Sequence, residues 1–283
     1  MRQIIWPCWI KTVYVMGKEC EHEIMEDYNY GVALITATKR ETAAVMQMYD
    51  WREKNFDNDV QTYYEAAFVR DGKPCRIVTT QQNAMGMTAA ATLSMKLIEH
   101  FRPRYLIAVG ITAGVALEDV EEQMYGDVVV ADEIWDYATG KFVSPEESEI
   151  RYGNVGFLPR PAVIRMNPEL RRCVEKAARS EENQCHVFIG AMATGSAVVA
   201  NREVLDKQIH SQFRHTAGLD MEAYGIAYAA ENATAPRPAH VIIKSVSDFA
   251  DNNKNDQYQK FAAYTSAEFA RLLFEKYLPM EEG

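Results

Sequence analysis

The sequence predicts an α/β protein, a three-layer α/β/α domain built on a central mixed, mainly parallel twisted sheet. Two observations predict it. From Tyr30 onward, short apolar runs alternate with helix-like stretches, the order expected when helices cover both faces of a parallel sheet. No linker, internal repeat or low-complexity tract interrupts the alternation, so the 283 residues read as a single domain over 30–283 behind an extension over 1–29.

Each element follows from its own residues. GVALITA (31–37) is a first strand, and ETAAVMQMYDW carries on as a helix. AAFVRDGKPCRIVTTQ reads as a hairpin because Asp71-Gly72 supplies its turn. MGMTAAATLSMKLIEHF, rich in Ala, Leu and Met, is a long helix that Arg102-Pro103 ends before the strand YLIAVGI. Further strands fall at 127–135, 187–194, 215–221 and 240–247, with helices at about 167–180, 201–210, 222–231 and 256–278. The segment 136–165, with its charged SPEESE and several prolines, reads as surface loop.

Composition narrows the function classes. With 30 Lys and Arg against 40 Asp and Glu, the formal charge is −10, and a chain without a basic excess is poorly suited to displacing counterions from a nucleic acid polymer. A small-molecule ligand is the default. The five cysteines form no CxxC pair and no histidine stands at zinc-ligand spacing, which predicts reduced thiols, a cytoplasmic setting and no metal. None of the six scattered histidines is a candidate for catalysis. The N-terminal RQIIWPCWIKTVYVMG is broken by Pro7 and Lys11, falls far short of a membrane span and has no small-residue cleavage site after it. It reads as an extension docked by Trp6, Trp9 and Tyr14, with no membrane partner.

Acids mark the candidate site. GLDMEAYGIAYAAEN (218–232) places Asp220 and Glu222 among small and apolar neighbours, where a carboxylate persists only if paired, hydrogen-bonded or used. Ligands of open α/β sheets sit beyond the carboxyl ends of strands. Glu41, Glu222 and Asp248 each follow an apolar strand and so have that address. The plainer reading of each is a charge at a helix N-terminus. VGITAG (109–114), which holds Gly110 and Ile111, and ATGSAVVAN (193–201) also follow strands and let backbone approach a flat or polar ligand. Neither fits GxGxxG or a P-loop, and either could be only a tight turn.

The motifs ITATKRE, NAMGMTAAATLSMKLIEHFRP, VGITAGV, GDVVVADE, TGSAVVAN, LDMEAYGIAYAA and IIKSVSDFAD occur in the order and spacing of the nucleoside phosphorylase superfamily. They most resemble its hydrolytic branch, the methylthioadenosine/S-adenosylhomocysteine nucleosidases, over residues 30–278. The resemblance implies a nucleoside phosphorylase-like fold, a purine nucleoside as ligand, no cofactor and a homodimer or higher homo-oligomer. It places Glu41 as the carboxylate that activates water and Asp248, supported by Ser247, as the acid that protonates N7 of the leaving purine. Glu222 would hold the ribose hydroxyls beside Met221, and Val198 and Val199 would contact the base. Such a hydrolysis builds positive charge on the ribose and negative charge on the base, which a carboxylate and a proton donor stabilise.

Departures from that resemblance keep alternatives open. Ala84 replaces a glycine before the long helix, Lys244 replaces an arginine in the strand before Ser247-Asp248, and Val198 replaces an aromatic residue that stacks on the base. Trp135, Tyr137 or Phe249 could supply the lost aromatic surface or could simply be packing residues. A phosphate-dependent phosphorylase is the first alternative, although Glu41 stands in place of a phosphate loop and Ala108 and Ile111 stand where such enzymes keep an arginine and a hydroxyl. Arg40 and Lys39 keep it in play. A catalytically silent nucleoside-binding regulatory module is the second. The candidate substrates are methylthioadenosine, adenosylhomocysteine, a plain purine nucleoside, AMP or a modified nucleoside.

Overall fold

The computed structural model describes residues 28–115, 122–251 and 256–280. Most of the expected extension, including Trp6, Trp9 and Tyr14, lies outside the described residues. The chain runs β1 (Tyr30–Thr36), α1 (Lys39–Val45), β2 (Arg52–Lys54), β3 (Tyr63–Arg70), β4 (Lys73–Gln81), α2 (Met87–Phe101), β5 (Pro103–Gly114) and β6 (Val128–Asp136). It continues through β7 (Gly140–Val143), β8 (Arg151–Tyr152), β9 (Val155–Pro159), β10 (Val163–Arg165), α3 (Pro168–Ala178) and β11 (Val187–Thr194). It ends with α4 (Arg202–Val204), β12 (Thr216–Asp220), α5 (Ala223–Asn232), β13 (Ala239–Asp248) and α6 (Gln259–Leu272), π-helical turns extending α4 and α6.

Turn chemistry sets the boundaries the sequence predicts. Asp71 and Gly72 both adopt positive φ, at 51° and 78°, the pairing a two-residue hairpin turn needs between β3 and β4. At the end of α2, Arg102 takes the left-handed conformation and donates its N–H to the Ile98 carbonyl, and Pro103 cannot continue the helix.

The central strands read as unbroken apolar runs because both of their faces are covered. On one face, Ala33, Ile35, Leu106, Ala108 and Ile242 pack with Leu93, Leu97 and Phe101 of α2 and Ile226, Ala227 and Ala230 of α5. The alternate residues Val32, Leu34, Ile107, Val109, Val241 and Ile243 turn to the other face, against Val45 of α1, Leu170 and Val174 of α3, and Ala263, Ala267 and Leu273 of the C-terminal helix. The three layers are therefore present.

The sheet is 10-stranded and mixed, running β10-β6-β11-β12-β5-β1-β4-β3-β2, with β13 paired to both β5 and β6. Parallel pairing joins β1 to β4 and β5, and β5 to β13, so these strands end on the same side. One half of the sheet closes on itself, because β5 pairs with β13, β13 with β6, β6 with β11, β11 with β12 and β12 with β5. A cluster that includes Ala113, Trp135, Tyr137, Leu205, Ile209 and Leu219 packs at this closure.

The segment 136–165 corrects the expectation of a surface loop. Strands β7, β9 and β8 form a separate antiparallel sheet, and β10 adds to the main sheet beside β6. Its prolines sit in a helical turn (Pro145), at a strand end (Pro159) and in the connection before β10 (Pro161), where they interrupt no ladder. Among the described residues no helix is long and apolar enough to cross a membrane.

Candidate active site

A cavity of about 270 Å³ opens where the ends of β1, β5, β12 and β13 converge. Glu41, Ile111, Val198, Val199, Met221, Glu222, Ser247 and Asp248 all line it, so residues scattered over two hundred positions of the chain meet in one place. Ala37, Thr38, Met85 and Gln259 join them, and none of these four stands out in the sequence.

Glu41 is placed by a helix cap and then used beyond it. Thr38 caps α1, and Glu41 at the third helical position returns a bond to the Thr38 N–H, a complete capping box. Its Oε2 accepts from Ala37 N–H at 2.8 Å and Thr38 N–H at 2.7 Å. Its Oε1 accepts from Ile111 N–H of β5 at 2.8 Å, a bond no helix cap requires. The side chain is buried, at 1% exposure. Gly110 stands behind this carboxylate and is absent from the residues that line the cavity: a β-carbon there would lie 2.3 Å from Glu41 Oε1. The missing side chain makes room for Glu41.

Asp220 and Glu222, one residue apart, do different work. Asp220 accepts the Ala223 N–H at 3.0 Å and the Thr194 hydroxyl at 2.9 Å, and that hydroxyl in turn accepts the Tyr224 N–H at 3.2 Å. Asp220 and Thr194 thereby satisfy the first free N–H groups of α5. Glu222 holds the cap position itself but makes no cap bond, and its Oε1 instead accepts the Gly86 N–H ahead of α2 at 3.0 Å. Capping by Asp220 leaves Glu222 available to the cavity.

Lys244 of β13 joins these acids from beneath. Its Nζ lies 3.4 Å from Asp220 Oδ2 and 3.5 Å from Glu222 Oε2, with the lysine side chain 2% exposed. Burial alone would lower its pKa, but Asp220, Glu222 and Glu41 outweigh burial and hold the ammonium protonated above the usual lysine range. Burial pushes the Asp220 carboxyl up against the opposing pull of Lys244, and Glu222 adds to the rise. A single cation among several buried carboxylates explains why the lysine and Asp220 both move upward. The sequence carries a signal for Lys244, a lone charge inside the apolar run VIIKSVS, which its reading as a replaced arginine does not exploit.

Asp248 closes β13 at the opposite wall. Its Oδ1 accepts the Ala250 N–H at 3.1 Å and its Oδ2 accepts the Ser247 hydroxyl at 3.2 Å. Val198 is half exposed at the cavity edge, whereas Val199 is buried. The proposed aromatic substitutes lie elsewhere: Trp135 is buried against Phe213, Phe249 packs edge-on to Tyr125, and Tyr137 donates to the Ala197 carbonyl at 3.3 Å behind the 195–199 turn. Arg40 pairs with Asp256 at 3.0 Å and contacts Gln259 at the surface, while Ala108 is buried in the core.

The chain is 31% identical over 236 residues to an uncharacterised protein of Sinorhizobium fredii, covering 78% of this chain and 54% of that one. It is 25% identical over 265 residues to an ATP nucleosidase of Escherichia coli, covering 83% and 49%. It thus spans about half the length of the curated relatives it matches. Among solved structures it superposes on the 5′-methylthioadenosine/S-adenosylhomocysteine nucleosidase of Neisseria meningitidis in complex with methylthio-immucillin-A with a TM-score of 0.68 and 25% identity, covering 87% and 98% of the two chains. The futalosine hydrolase of Helicobacter pylori shares the fold with a TM-score of 0.68, 18% identity and coverage of 87% and 97%. The sequence matches the phosphorylase superfamily over residues 32–279, and the chain belongs to that family.

Proposed function

We propose that the protein is a purine nucleosidase that hydrolyses an N-glycosidic bond to release the free base. The observation that carries this reading is the seat of Glu41. The N–H groups of Ala37, Thr38 and Ile111 converge as an anion nest, and the protein's own carboxylate fills it within the cavity that holds Glu222 and Asp248. A phosphate co-substrate would need that nest, which the Glu41 carboxylate already fills. Water is the nucleophile that fits.

In this mechanism Glu41 Oε1, which carries a single backbone N–H bond, has a lone pair left to take a proton from water attacking C1′. Glu222 accepts the ribose hydroxyls, its orientation set by Gly86. Asp248, steadied by Ser247 and the Ala250 N–H, gives its proton to the purine as the glycosidic bond breaks. Positive charge developing on the ribose is stabilised by the carboxylates around it. Met85, Ile111, Val198, Val199 and Met221 supply apolar walls for the base and sugar.

The substrate read from the sequence is of the methylthioadenosine/S-adenosylhomocysteine type. A second reading, a purine nucleotide, is favoured by Gln259, which lines the cavity and carries the Arg40 guanidinium to its rim, where 5′-phosphates would find a cation. The relatives' names include both substrate kinds. The test is chromatographic assay of base release from methylthioadenosine, adenosylhomocysteine, adenosine, inosine, guanosine, AMP and ATP, with and without phosphate. Release without phosphate is expected; strict dependence on phosphate would replace this reading with a phosphorylase.

A further inference from the structure

We propose that Lys244 is a positioning residue that sets Glu222 for the ribose hydroxyls, acting through the carboxylate rather than on the substrate; this rests on the nucleosidase reading above. Its ammonium lies between Asp220 Oδ2 and Glu222 Oε2, at 3.4 and 3.5 Å, and does not line the cavity. The two contacts draw on carboxylates with different duties, since both line the cavity but Asp220 is committed to capping α5 and Glu222 makes no cap bond. Lys244 therefore ties the orientation of the ligand-facing acid to a fixed structural one.

The arrangement also limits where Glu222 can swing. Gly86 N–H holds Oε1 and the ammonium faces Oε2, so both oxygens are anchored on their inner side. A carboxylate held at both oxygens keeps its outward lone pairs aimed in a fixed direction, the condition for accepting a vicinal diol without reorganisation. Lys244 Nζ and Glu41 Oε1 also crowd the same space over Gly110, 3.2 and 2.3 Å from where a β-carbon would stand, which brings the water-activating acid into the same electrostatic unit.

The chemistry predicts a coupling that a purely structural lysine would not show. Loss of Lys244 must weaken recognition of the ribose diol more than recognition of a sugar that lacks it. The experiment compares kcat/KM for adenine release from adenosine and ATP, each beside its 2′-deoxy counterpart, in wild type, Lys244→Met and Lys244→Arg. Calorimetry measures binding of the same four compounds, and thermal unfolding monitors the fold. Lys244→Met is expected to lose about 30-fold or more with the ribosyl compounds, the scale of truncating one partner of a buried charge pair, and to erase most of the ribose preference. Lys244→Arg, which keeps the charge with a different reach, is expected to restore part of that preference.

An equal loss with ribosyl and 2′-deoxy compounds, or a ribose preference that survives in Lys244→Met, overturns the proposal while leaving the nucleosidase reading intact. If wild type acts only on methylthioadenosine or adenosylhomocysteine, the same comparison with the 2′-deoxy counterpart of that compound decides; a wild type that neither cleaves nor binds any of these compounds overturns both. Should Lys244→Met fail to fold, the ratio in Lys244→Arg decides: a changed ribose preference supports the role, and an unchanged one overturns it.

Discussion

Glu41 and Ile111 stand 70 residues apart in the chain, and the Glu41 carboxylate accepts the Ile111 N–H at 2.8 Å. That bond is one a helix cap does not require. Thr38 and the returning Glu41 bond already complete the capping box of α1, so the reach to β5 carries the carboxylate past its local duty and into the cavity.

Glu41→Gln is accordingly expected to lower kcat by about 10²–10⁴-fold, the usual contribution of a general base, with nucleoside affinity changed only a few-fold. The amide also brings donors toward the Ala37 and Thr38 N–H groups, so a stability loss of about 1 kcal/mol accompanies it. Single-turnover base release and denaturant unfolding measure the two effects. Unchanged kcat would remove Glu41 from the chemistry.

Gly110→Ala tests the same carboxylate from behind. The new methyl group would fall 2.3 Å from Glu41 Oε1 and 2.8 Å from its Cδ, so the carboxylate must move and the Ile111 bond must break. A displacement of this kind is expected to cost about 100-fold in kcat while the fold persists. A crystal structure of the variant with Glu41 in place and full activity would contradict this account of Gly110.

Asp248→Asn is expected to abolish release of a purine, which needs a proton to leave. A nitrophenyl riboside, whose leaving group departs as a stable anion, should be cleaved by Asp248→Asn nearly as well as by wild type. Parallel loss on both substrates would show that Asp248 does something other than protonate the base.

Asp220→Asn addresses stability against pH. Burial raises the Asp220 pKa to about 6 in the folded protein, against roughly 4 for an unperturbed aspartate. A group raised in this way contributes stability fully present below the unfolded value and lost as pH rises through the folded one. Between about pH 4 and 6 the wild type should therefore lose stability relative to Asp220→Asn as the pH rises, read as the difference between two urea-unfolding series. A difference that stays flat over that window would mean that the carboxylate titrates normally.

Much of this was legible because the relevant residues contradict their surroundings. Unbroken apolar runs foretold strands covered on both faces, and Glu41, Glu222 and Asp248 were visible as charges at strand ends. Asp220 and Glu222 share one sequence context and both line the cavity, however, and only the bonds to Ala223 N–H and Gly86 N–H give the capping of α5 to one and free the other from it. Strands β7, β8 and β9 are 4, 2 and 5 residues long, too short for alternation to register against the charges around them. The closure of the sheet was hidden for a related reason: the join of β12 to β5 rests on the pairs Gly218↔Gly114 and Leu219↔Ala113, a short long-range meeting with no periodic trace.

That short join has a consequence for how the molecule breathes. A seam held by so few rungs opens more readily than the long ladder between β5 and β13, and the cavity lies directly over it, with Ile111 and Ala113 on one lip and Leu219 and Glu222 on the other. A bound nucleoside gripping both lips would act as a stitch across the seam. Occupancy of the pocket would then slow solvent exchange of the amides on either side of the join, so that the ligand would fasten the ring that holds it.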